Sequence, residues 1–132
     1  LAVFQGPQGY VSPSWLRDRT QAPTWNFATV HFQVDVCFDF GVEAALDAVG
    51  RLTAVMEAGR PKTWSPVEMG ERRDRLVGGV VAFRARVMEV DAKFKLGQNE
   101  RDDVFADILR GLTKTGQLGL ADAMALAAGS RT

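Results

Sequence analysis

The sequence has 132 residues, 46% of them hydrophobic and 24% charged, a composition that fits one ordinary globular domain and excludes a disordered tail. Sixteen Lys and Arg balance sixteen Asp and Glu, so no global charge draws the chain to nucleic acid or an anionic membrane, and any anion must be gripped locally. Its lone cysteine, Cys37, excludes an intramolecular disulfide and suits a reducing compartment, and no stretch reaches the ~18 apolar residues of a bilayer span, so the expected setting is the cytoplasm.

The chain opens on Leu1 in the middle of an apolar run, from which preceding sequence is expected. Residues 2–4 and 10–12 read as short strands interrupted by Gly6-Pro7 and Ser12-Pro13, because proline lacks the donor a ladder needs and both pairs favour turns. Over residues 27–38, Ala28, Val30, Phe32, Val34, Val36 and Phe38 alternate with Thr29, His31, Gln33, Asp35 and Cys37, the period of a half-buried strand. Between residues 42 and 56 the period lengthens: Val42, Ala45, Leu46, Val49, Leu52, Val55 and Met56 fall on one helical stripe, which ends near residues 59–61. Ser65 is placed to cap a shorter helix over residues 66–76, with Pro66 at the first position, where its missing N–H costs nothing.

Residues 76–90 read as a long strand, with Val81, Phe83, Ala85 and Val87 on one side. Asn99 or a neighbour then caps a helix through Leu112, with Val104, Phe105, Ile108, Leu109 and Leu112 inward and Asp102 and Asp103 in its first turn. A last helix is expected over residues 118–128, with residues 129–132 frayed. No repeat or linker divides the chain, so it reads as one domain over residues 1–132, β-rich α+β with a helical tail over residues 99–128.

Chemistry concentrates in three polar-aromatic segments at strand ends. Two of them set a tryptophan beside hydroxyls or amides, a combination able to wall a flat heteroaromatic ring and bond its edge. They supply Tyr10, Ser12, Ser14 and Trp15, then Thr24, Trp25 and Asn26. The third sets Lys93 and Lys95 next to Gln98 and Asn99 at a helix start, where free N–H groups and partial positive charge suit a phosphate. Together they outline a phosphorylated aromatic ligand. Taken singly, each also has a plain structural use: aromatics fill cores, Ser12 and Ser14 form turns around Pro13, and Asn99 caps.

Other chemistries lack their parts. His31 is the only histidine and Cys37 the only cysteine, so neither a zinc site nor a Cys-His nucleophile is expected, and no catalytic residue is assigned. No GxGxxG, GxxxxGK[ST] or HExxH occurs.

Phe4-Gln5-Gly6-Pro7 with Tyr10-Val11-Ser12-Pro13-Ser14-Trp15, Pro23-Thr24-Trp25-Asn26-Phe27 with Val30-His31, and Lys93-Phe94-Lys95-Leu96-Gly97-Gln98-Asn99 form three ordered motifs. They resemble the PaiB-type FMN-binding negative transcriptional regulators over most of residues 1–112. The resemblance implies a split β-barrel with flanking helices, related to the pyridoxamine-phosphate-oxidase and flavin-reductase folds. It also implies a homodimer with FMN at the subunit interface, with Tyr10, Ser12, Ser14, Trp15, Thr24, Trp25, Asn26, Lys95, Gln98 and Asn99 as the expected cofactor contacts. Gln8 stands where the family usually has histidine, Leu16 where it has tyrosine and Gly97 where it has serine. Family members also carry N-terminal barrel strands with no counterpart in this sequence, so these are expected to be missing. The expected function is a flavin-binding regulator rather than an enzyme, with a possible redox-sensing role and DNA engaged only indirectly or through the full-length protein. A flavin-dependent oxidoreductase and a flavin-free association domain are the alternatives.

Overall fold

In the computed structural model, which describes residues 1–129, the chain runs through β1 (Ala2–Val11), a 3-10 turn (Pro13–Trp15), β2 (Thr24–Asp39) and α1 (Val42–Glu57). A second 3-10 turn (Pro66–Met69), α2 (Glu71–Val77), β3 (Ala82–Lys95), α3 (Asp102–Lys114) and α4 (Leu118–Gly129) follow. The strands form a three-stranded sheet in the order β1-β2-β3, with β1 and β2 antiparallel. The fold is therefore mixed α+β. Gly129, expected to fray, is instead the last residue of α4, and the rest of that expectation, residues 130–132, lies outside the described residues.

Gly6-Pro7 does not break the first strand. Gln5 pairs with Thr29 and Gln8 with Phe27, so Gly6 and Pro7 together face Ala28 and form a bulge in an otherwise continuous β1. A Cβ on Gly6 would lie 3.2 Å from the Ala28 Cβ, which explains the glycine at this crowded point. Because side chains alternate along a strand, the extra residue reverses the phase of β1. Val11 and Gly9 thus share a face with Thr24 and Asn26, while Gln5, Gln8 and Tyr10 share the other with Thr29, Phe27 and Trp25.

Two expected boundaries are corrected. The long strand over residues 76–90 starts instead at Ala82 and continues to Lys95, because α2 runs to Val77 and closes through bonds from Gly79 N to the Leu76 carbonyl (3.1 Å) and from Val80 N to that of Val77 (3.0 Å). The helix over residues 66–76 is split at Gly70, whose φ of 55° lies in the left-handed region that glycine tolerates. Its capping residue is as expected: Ser65 Oγ accepts from Val67 N at 3.4 Å, while Glu68 Oε1 accepts from Ser65 N at 2.9 Å.

The chain divides into two compact units, Leu1–Gln33 with Met88–Thr132, and Val34–Val87. In the first, Val11, Leu16, Leu96, Val104, Ile108, Leu112, Leu120, Ala121 and Met124 form a buried cluster, with Trp15 and Phe105 packed against it. α3 enters this cluster with Val104, Ile108 and Leu112, the i, i+4, i+8 stripe read from the sequence. The second unit buries Ala45, Val77 and Ala82, and Leu46, Val49, Pro66, Met69, Leu76 and Val77 line an open apolar groove of about 200 Å³.

Candidate functional site

Three strand termini meet at one end of the sheet. Val11 ends β1 opposite Thr24, the first residue of β2, and Lys95 ends β3 with its Nζ donating to Thr24 Oγ1. An ammonium carries three donors, of which Thr24 takes one. Immediately after β1, Ser12 caps the first 3-10 turn: its Oγ accepts from Ser14 N at 3.2 Å and lies 2.7 Å from Ser14 Oγ. One exposed ammonium and three hydroxyls therefore come from segments that begin or end at this end of the sheet. That donor set suits a phosphate, whose oxygens accept charge-assisted bonds.

On the opposite face of β1 and β2, Tyr10 and Trp25 are register partners and stay 46% and 51% exposed. Trp25 Nε1 donates to Gln8 Oε1 at 3.2 Å. This face holds an open recess of about 270 Å³ lined by Gln5, Gln8, Trp25, Phe27, Thr29 and His31. The bulge is what places both glutamines on it, three residues apart in a strand whose period is two. An indole edge and side-chain amides beside an open aromatic face are suited to a flat polar ring.

Trp15, Asn26 and Gln98 have partners within the chain, and Asn99 is exposed. Trp15 lies over α3 so closely that a Cβ on Gly111 would be 2.4 Å from its ring. Asn26 is 2% exposed and donates to the Met124 Sδ at 3.4 Å. Gln98 spends both ends of its amide on backbone, accepting from Leu96 N and donating to the Phe94 carbonyl, each at 2.8 Å. Asn99 is exposed in the turn before α3, and Arg101 rather than Asn99 occupies the cap position, without a side-chain capping bond. The helix start expected to favour an anion carries Asp102 and Asp103, whose negative charges already meet its partial positive charge.

Two carboxylates outside the three polar-aromatic motifs hold the segment between the first 3-10 turn and β2. Asp107, almost wholly buried, accepts from Arg17 N at 2.8 Å and Arg17 Nε at 3.2 Å, and pairs with Arg110. Asp18 accepts from Thr20 Oγ1 at 2.6 Å, Thr20 N at 3.1 Å, Gln21 Nε2 at 2.9 Å and Arg101 Nη2 at 3.1 Å. The Thr20 hydroxyl, then Gln21, hold the Asp18 carboxyl far below the usual carboxylate range, and the Arg17 backbone N–H lowers that of Asp107 against the opposing effect of burial. Asp18-Arg19-Thr20 carries the readable signal, an Asx turn in which the carboxylate bonds the backbone two residues on. Among the described residues, no cluster of three metal-ligating side chains is present and no helix is long and apolar enough to cross a membrane.

A family model described as "Putative FMN-binding domain" matches residues 1–89. The curated "Protease synthase and sporulation protein PAI 2" of Bacillus subtilis (strain 168) is 29% identical over 119 residues, which covers 85% of this chain and 54% of that protein. The chain thus spans about half the length of this relative.

Proposed function

Because the chain belongs to the PaiB-type FMN-binding family, whose cofactor is FMN, we propose that it holds FMN as part of a split-barrel negative transcriptional regulator in the cytoplasm. The bond from Lys95 to Thr24 at the joined strand ends carries this reading. Lys95 and Thr24, with Ser12 and Ser14, take the phosphate, and Tyr10 and Trp25 wall the ring. Thr24 and the ring wall lie on opposite faces of β1 and β2. A homodimer uses both, with the phosphate on one copy and the ring on its partner. Gln98 and Asn26, with their amides committed within the chain, support the site rather than touch the cofactor.

Bound FMN supplies reversible electron uptake, and the protein's part is to anchor the phosphate, orient the ring and limit its contact with water. In the proposed regulator the flavin's redox state is the signal. The balanced charge of the chain supports DNA contact only indirectly or through the full-length protein.

Titration of FMN and riboflavin against wild type and Lys95→Ala tests the phosphate assignment. FMN binds more tightly by roughly 1.5–3 kcal/mol, the value of bonds to an ionised group, and Lys95→Ala removes most of that preference. Equal affinities in wild type would sink the reading. In the same assay Trp25→Ala weakens both flavins by about 0.5–1.5 kcal/mol, whereas Trp15→Ala lowers stability and leaves affinity per folded molecule unchanged. Catalytic turnover of reduced nicotinamide by the loaded protein would move the assignment to a flavin-dependent oxidoreductase.

A further inference from the structure

Lys95 is the last residue of an edge strand, a place where backbone groups lack a further strand to pair with and a side chain is free to wander. Three features of the next three residues remove that freedom. Leu96 is buried in the core cluster, and Gly97 turns the chain with a φ of 74°. Gln98 then folds back so that its amide closes on the Phe94 carbonyl and the Leu96 N–H, the residues on either side of Lys95. In a strand these two groups point to the same edge, so the Gln98 amide occupies the place a neighbouring strand would take. Gln98 itself is exposed, and its burial accounts for none of this.

We infer that Gln98 is a positioning residue: it fixes the backbone around Lys95, and so aims the ammonium at Thr24 and at a bound phosphate without contacting the ligand. This rests on the reading of Lys95 as the phosphate group's partner. It separates the two polar residues of the segment, since Asn99 has no such hold on the strand end.

The quantity to measure is the ratio of riboflavin to FMN dissociation constants, because riboflavin lacks the phosphate and serves as the control for folding and for the ring site. Gln98→Ala is expected to lower this ratio roughly three- to tenfold, the equilibrium value of about one hydrogen bond. Asn99→Ala leaves it unchanged. In a Lys95→Ala background Gln98→Ala has no further effect on the ratio, as a residue acting only through Lys95 requires. A wild type that does not prefer FMN overturns both the phosphate reading and this inference. If wild type prefers FMN and Lys95→Ala abolishes the preference, yet Gln98→Ala leaves it intact or weakens both flavins equally, the positioning role alone is overturned. Gln98→Met, which keeps the length of the side chain and loses both bonds, carries the same test should the alanine variant fail to fold.

Discussion

The unit made of Leu1–Gln33 and Met88–Thr132 and the unit Val34–Val87 differ in what their helices have to pack against. α3 and α1 both carry an apolar stripe. α3 buries Val104, Ile108 and Leu112 in a cluster with Val11 of β1, Leu96 and α4 residues, whereas α1 buries Ala45 and leaves Leu52, Val55 and Met56 more than half exposed. Nearby on the strands, the rings of Phe38 and Phe83 meet at 6.4 Å but remain exposed. An amphipathic pattern specifies a helix and the face it will bury; whether burial follows depends on a facing layer. Stability in the described chain therefore resides mainly in the first unit, the same unit that carries Lys95, Thr24 and Trp25.

The sharpest way to break this contrast is to truncate equivalent stripes. Ile108→Ala should cost about 2–5 kcal/mol, since the side chain is fully buried, while Val55→Ala should stay within about 0.5 kcal/mol. Urea unfolding of the two variants checks it, and comparable losses would show that α1 is covered in solution. A smaller effect sets two mid-helix glycines in opposition. At Gly111 a methyl group would run into the Trp15 ring, so Gly111→Ala should destabilise by about 1–3 kcal/mol. At Gly50 nothing lies within 4 Å, and Gly50→Ala should stabilise by about 0.5–1 kcal/mol through helix propensity. Thermal melts that moved in the same direction for both would remove the packing explanation.

The smallest effect is a pH dependence. Asp18 and Asp107 have folded-state values below those of an unfolded carboxylate, so the unfolded chain binds more protons in the window between them. Their stabilisation is complete above the unfolded value of about 3.9 and is lost as pH falls through the lowered folded values. Asp18→Asn should lower the urea midpoint at pH 6 and flatten its decline between pH 5 and pH 2. A variant whose decline remains as steep as wild type would take Asp18 out of the balance.

Local signals in the sequence were legible where local chemistry decides the outcome. The Ser65 cap, the α1 stripe and the α3 stripe each depend on residues a few positions apart. β1 was misread as two pieces because the bulge needs Ala28 opposite it, and that partner lies in another strand. The start of β3 was misplaced because alternating apolar residues outweighed Gly78-Gly79, which ends α2. For the site, the Lys95 and Thr24 motifs were recognisable, but not that they touch. The sequence likewise suggested amide ligands at Asn26 and Gln98. Asn26 bonds Met124, distant in sequence, and Gln98 folds back on the backbone either side of Lys95.

The bulge at Gly6-Pro7 makes β1 a strand with two reading frames: upstream, the even positions Ala2 and Phe4 face the side of Val30 and Phe32, and downstream the odd positions Gly9 and Val11 continue that side. Removing either bulge residue would merge the frames, and the downstream motif could then keep its partner only by turning over. Tyr10 would enter the packed side and Val11 would leave it. Sequence drift in this segment is thus constrained by count as much as by identity: paired insertions and deletions preserve the motif's orientation, whereas single ones invert it.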